Sequence, residues 1–234
     1  MLHLRVRRAA ITHCLGIVLG TTCLLNAPLP SASAQDAEIP KIVMDTSQLD
    51  VLNAFAKKAE ATAKDWYPRI VKILGVTNPK PRGTITLVMD FDYKGVAATS
   101  GEGIHISTEY ARKHPDDLGM VVHELTHVVQ AYPKYDPVWL VEGIADYVRF
   151  YHFEPVAKRP HPDPAKVSAR DSYRTTAAFL DWTTTKYNKE LVRQLDHVLK
   201  ESTYKEETFK ELTGKSLDDL NTEWIASLRA TAAK

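Results

Sequence analysis

The chain has 234 residues, 44% hydrophobic and 25% charged, with a formal net charge of +1 at pH 7. These values fit an ordinary globular protein, not a disordered or fibrous one. They argue against a nucleic-acid binder, which needs a clear Lys/Arg excess to neutralise phosphates, and no apolar run reaches the roughly 18–20 residues that span a bilayer.

Residues 1–34 read as an export leader. Arg5, Arg7 and Arg8 form a positive start without acids, and Cys14 to Leu25 is a short apolar stretch. Pro28 and Pro30 follow, and Ala32-Ser33-Ala34 offers the small residues a signal peptidase accepts, so cleavage is expected after Ala34. The competing reading is a buried N-terminal helix. Gly20-Thr21-Thr22 before Cys23 does not resemble a lipobox, and Arg7-Arg8 leaves the twin-arginine route open beside the general one. A secreted or periplasmic protein is expected. Removing the leader takes out three arginines, no acid and both cysteines, leaving 27 basic against 29 acidic side chains. Residues 35–234 are then expected to form a single, mildly acidic domain without disulfides or a transmembrane segment.

Residues 35–40 read as a loose start. A helical pattern runs from about Gln48 to Leu74, kinked or interrupted at Pro68. Asn78 to Pro81 is a turn, and Thr84 to Met89 alternates Thr with apolar residues as a strand does. Two short strand-like pieces flank Gly101-Glu102-Gly103, the second ending in Ile104-His105-Ile106-Ser107. Helical periodicity dominates from Pro115 onward, broken by a proline-rich loop at Glu154–Pro164, and Ser216-Leu217-Asp218-Asp219 reads as a capping box opening the last helix. The pattern predicts an α+β fold, with a small N-terminal sheet and helices followed by a mostly helical C-terminal half.

His123-Glu124-Leu125-Thr126-His127 matches H-E-x-x-H. On a helix, positions i and i+4 share a face, so both imidazoles can reach one zinc ion, and the intervening Glu124 can take a proton from water at that metal. Val121, Val122, Leu125, Val128 and Val129 fall in one apolar arc. The opposite side carries His123, Glu124, Thr126, His127 and Gln130, without the Lys, Arg or Asp of an ordinary solvated face. A catalytic zinc keeps three protein ligands. Gln130 and Pro133 stand where the metzincin pattern requires Gly and His, so that class is excluded.

The third-ligand candidate is Glu142, in a second helical segment expected to fold back as an antiparallel hairpin after the Pro133–Pro137 break; His152 and His161 are the alternatives. Gly143 would let the helices approach closely. Asp146, one turn on, is placed to accept the other ring N–H of a ligand histidine, or else to pair with Arg149.

His-Glu-x-x-His followed by Trp139-Leu140-Val141-Glu142-Gly143-Ile144-Ala145 resembles the gluzincin metallopeptidases. The longer string through Asp146-Tyr147-Val148-Arg149, with Gly103 to Ser107 and Ala178 to Trp182, is similar to the basic secretory protein family of plants and bacteria. That resemblance spans roughly residues 41–230. It implies a thermolysin-like catalytic core, one Zn2+ and hydrolysis of peptide or protein substrates. It also implies that Tyr173 stabilises the oxyanion, against a packing role. Gly103, Ile104, His105 and Ile106 would lie on the edge strand that pairs with an extended substrate, His105 being a groove or packing residue before a ligand. The rival function is a zinc-containing module that binds peptide or cell wall without turnover. A purely helical scaffold is the third. The setting of Glu102 does not match an aminopeptidase amine-binding motif, which favours an endopeptidase.

Overall fold

The computed structural model describes residues 40–45, 52–79, 83–101 and 103–232. The expected leader, nearly all of the loose start, the residues expected to open the long helix (48–51), the second half of the expected 78–81 turn and Glu102 lie outside them.

A four-stranded sheet occupies the N-terminal half. Its strands are β1 (Lys41–Asp45), β2 (Thr84–Asp90), β3 (Ala97–Ser100) and β4 (Gly103–Ser107), in the order β1-β2-β4-β3. Strands β1, β2 and β4 are parallel, and β3 runs antiparallel along β4, with a turn beginning at Gly101. Parallel neighbours need a long crossover, and between β1 and β2 it contains α1 (Asn53–Leu74). The register places Ile42 beside Ile85, Leu87 beside Ile104 and Met89 beside Ile106. All six are buried, forming one apolar stripe across the sheet.

Helix α1 buries Phe55, Ala59, Ala63, Tyr67, Ile70 and Leu74, the three-and-four spacing of a single face. It is not interrupted at Pro68. Proline removes one ladder hydrogen bond, but Ile70, Val71 and Leu74 beyond it are buried and hold the last turn in place. At its end Gly75 adopts φ 69°, and the Val76 N–H reaches back to the Val71 carbonyl, a Schellman-type stop.

The short α2 (Thr108–Lys113) leads to α3 (Gly119–Gln130) and α4 (Val138–Val148), joined by residues 131–137. Every residue of α3 except His127 is buried, and so is α4 from Leu140 on. The polar side of α3 is therefore enclosed by protein. A π-helical turn, Arg149–Phe153, ends α4. Arg149 donates to Asp117 at 2.8 Å, and Asp117 accepts from the Tyr110 hydroxyl at 2.7 Å, which ties the end of α4 to the approach to α3.

Helices α5 (Tyr173–Lys186), α6 (Leu191–Lys200), α7 (Glu207–Thr213) and α8 (Leu217–Ala232) complete the mostly helical C-terminal half. Phe179 packs against Phe209 and Trp224 at centroid distances of 5.9 and 5.6 Å. Ser216 Oγ accepts from the Asp219 N–H at 3.1 Å and opens α8 as its cap. The architecture is the α+β arrangement expected, with β1 as an additional strand. Among the described residues no helix is long and apolar enough to cross a membrane.

Candidate metal centre

Helix α3 projects His123 and His127 one turn apart. It ends at Ala131, whose φ of 41° turns the chain into the 131–137 connection. Helix α4 then carries Glu142 to the two imidazoles. His123 Nε2 lies 3.1 Å from His127 Nε2 and 3.1 Å from Glu142 Oε2, and His127 Nε2 lies 3.5 Å from the same oxygen. Zinc bonds to nitrogen and carboxylate oxygen are about 2.0–2.2 Å, which makes the edge of a tetrahedron roughly 3.4 Å. The donor set fits that edge. Among the described residues it is the one group of three His, Cys, Asp or Glu side chains close enough to share an ion.

Its electrostatics point the same way. Burial works against a charge on His123, but the Asp146 and Glu142 carboxylates overcome it and lift the imidazole to about 10. Burial likewise opposes ionisation of Glu142, yet His123, His127 and Tyr135 hold its carboxyl well below the usual range. The cluster demands positive charge at its centre, as a cation site does.

Outside the three donors, His123 Nδ1 lies 2.7 Å from Asp146 Oδ1, and His127 Nδ1 lies 2.7 Å from Gln130 Oε1. Arg149, the other partner considered for Asp146, is engaged with Asp117. Glu124, 8% exposed, is held from the sheet: the Thr99 hydroxyl is 2.8 Å from its Oε2 and 2.9 Å from its carbonyl oxygen.

Two half-exposed tyrosines flank the donors. Tyr173 stacks near-parallel to His123 at 6.1 Å, and Tyr135 packs 5.7 Å from His127 with its hydroxyl donating to Glu142 Oε1. Burial raises both phenols, followed by the hydrogen bond to Glu142 for Tyr135 and by the charge of Glu142 for Tyr173, so each remains an O–H donor at neutral pH. Tyr135 and Thr99 were not singled out by sequence. The visible sign of the first is a tyrosine between Pro133 and Pro137, just ahead of the third-donor helix; nothing local marks the second.

Tyr173 begins α5 under backbone strain. Ser172 has φ 65° and ψ 175°, a region essentially reserved for glycine, and Tyr173 itself has φ 45°. Ser172→Gly should therefore raise stability by about 1 kcal/mol, since relief of strain outweighs the extra flexibility of the unfolded chain. A lower Tm for that variant would contradict the strained geometry.

One expectation is corrected. Gly103, Ile104, His105 and Ile106 do not form an edge strand, because β4 lies between β2 and β3. The edge beside α3 is β3, which carries Thr99. His105 bonds Asp90 Oδ2 at 3.1 Å across the β2–β4 pair and does not join the donors. The alternative ligands also lie elsewhere: His152 packs edge-on against Tyr147 at 5.0 Å, and His161 is exposed. Gly143 faces α5, not α3: a Cβ there would meet Thr176.

His-Glu-x-x-His with the downstream Glu142 in one tight triad matches the gluzincin zinc-binding motif. The model of the BSP family, described as a peptidase of plants and bacteria, matches residues 34–224. The chain belongs to this family. No curated protein and no solved structure matches it significantly. The BSP-family match contains all three donors, Glu124, both tyrosines and Thr99.

Proposed function

We propose that this BSP-family protein is a zinc-dependent peptidase that acts outside the cytoplasm after removal of residues 1–34. The observation that carries the reading is the convergence of His123, His127 and Glu142 at tetrahedral spacing, with the non-ligand carboxylate of Glu124 beside them. The charge of Glu124 acts on His123 and on both tyrosines, in keeping with a carboxylate close to all three.

His123, His127 and Glu142 would hold the ion. Bound zinc supplies Lewis acidity, which polarises a scissile carbonyl and acidifies water. Glu124, oriented by Thr99, removes the water proton and returns it to the leaving amine. Asp146 accepts the Nδ1 hydrogen of His123 and keeps its Nε2 directed at the metal. Tyr173 donates an O–H to the developing oxyanion, while the Tyr135 hydroxyl stays on Glu142 Oε1 and steadies that ligand. An extended substrate pairs with the outer edge of β3, whose inner edge is occupied by β4.

The test is cleavage of a broad peptide mixture by purified protein, with metal analysis alongside. About one zinc per chain is expected, with turnover lost on chelation and restored by zinc. Absence of zinc eliminates both the peptidase and the zinc-dependent binding module. Zinc without turnover of any peptide leaves the module.

A further inference from the structure

Gln130 closes the last turn of α3, is 1% exposed, and spans two elements. Its Oε1 lies 2.7 Å from His127 Nδ1, and its Nε2 lies 3.1 Å from the carbonyl oxygen of Val141 on α4. Which end of the amide points where follows from chemistry. A carbonyl oxygen only accepts, so the amide nitrogen faces Val141. The amide oxygen, also an acceptor, then faces the imidazole, so His127 Nδ1 must carry the hydrogen. In a neutral ring this leaves the lone pair on Nε2, the atom grouped with His123 and Glu142.

The second bond has its own consequence. Val141 directly precedes Glu142, so the same side chain links one donor to the backbone beside another. His127 could shift its tautomer, or α4 slide relative to α3, only by breaking a buried hydrogen bond, which costs about 1–3 kcal/mol. Neither isosteric neighbour can do both jobs. A glutamate at 130 would serve the imidazole but set oxygen against oxygen at Val141, and a methionine would serve neither.

We propose that Gln130 is a positioning residue of the metal centre: it locks His127 in the Nδ1–H tautomer and, through Val141, sets the spacing between His127 and Glu142. Its relevance to metal binding rests on the zinc-site reading above, whereas the tautomer is a property of the chain alone. His123 obtains the same tautomer from a carboxylate, Asp146, so the two imidazoles are oriented by partners of different charge. A neutral amide orients His127 without adding a further negative charge to a cluster that already holds Glu124, Glu142 and Asp146.

The experiment is long-range proton–nitrogen NMR on the intact chain, labelled with 15N-histidine and treated with chelator, at a pH where His127 is neutral. The parent should show Nδ1 protonated and Nε2 bare. Gln130→Met should bring in the Nε2–H form and weaken zinc binding by about 10–100-fold. Gln130→Glu should keep the Nδ1–H form, and this variant decides the matter if the methionine protein fails to fold. An Nε2–H tautomer in the parent overturns the proposal, as does loss of the Nδ1–H form in Gln130→Glu. So does a Gln130→Met protein with unchanged tautomer and affinity. A parent chain that shows the Nδ1–H form but binds no zinc removes the metal-site reading and leaves the tautomer lock standing.

Discussion

Glu124→Gln should leave zinc content unchanged and reduce peptide hydrolysis by about 10²–10⁴-fold, the contribution expected of a positioned general base. The substitution keeps size and shape and removes only the ability to take a proton. Glu124 is not one of the three donors, and the Thr99 hydroxyl that lies 2.8 Å from its carboxylate can donate equally well to an amide oxygen. Folding and metal retention are therefore expected to survive. Metal analysis, circular dichroism and kcat on a fluorogenic peptide read the three quantities separately. A variant that cleaves at the parental rate would show that the proton goes elsewhere.

Gly143→Ala should destabilise the protein by about 2–3 kcal/mol and lower Tm by roughly 5–10 °C. Two effects compete. Alanine is the better helix former by about 1 kcal/mol, but a Cβ at 143 would stand 2.7 Å from Thr176 Cβ and closer still to its Cγ2. Thr176 cannot turn away, because it is fully buried and its hydroxyl donates to the Ala169 carbonyl at 2.7 Å. The clash wins, and α4 must separate from α5. Because Glu142 is the adjacent residue, zinc affinity should fall as well. Adding Thr176→Ser removes the nearest methyl while keeping the hydroxyl, and should recover part of the loss; thermal denaturation of the two single variants and the double variant measures the coupling. A Gly143→Ala protein as stable as the parent would mean the helices are not this close.

Much of the metal centre was legible because its donors depend on local geometry. The i, i+4 spacing of His123 and His127 brings two imidazoles to one helix face whatever the surroundings. Local reasoning also reached Glu142 and Asp146: a catalytic zinc needs a third protein ligand, and Asp146 stands one turn after Glu142, where a carboxylate can accept the ring N–H of a ligand histidine. It stopped where the answer depended on what lies across a gap. Gly103–Ser107 alternates as any strand does, and nothing in five residues says whether both its edges are covered. That was decided by β2 on one side and β3 on the other. β1 escaped notice for the same reason: its partner β2 is forty residues away.

Arg149 and Gly143 show a similar limit. Arg149 lies within one turn of Asp146, yet it pairs with Asp117 because the π-helical turn sits beside the approach to α3. Gly143 does mark a close approach, but to Thr176 of α5, more than thirty residues on, and not within the hairpin expected from sequence. Thr99, Gln130 and Tyr135 are ordinary residues of a strand, a helix end and a proline-flanked turn. Their importance comes from the Glu124, His127 and Glu142 atoms they touch.

By itself, the sequence determined the class of fold, the histidine pair, the candidate base and the acidic third donor, because helix periodicity and side-chain chemistry act within one or two turns. Only the tertiary structure decided which strand ends the sheet beside α3, how each donor is oriented from behind, and that a second tyrosine reaches Glu142. Those outcomes depend on distances of a few ångströms between segments far apart in the chain, and such distances are set by the packing of the whole core, not by any local pattern.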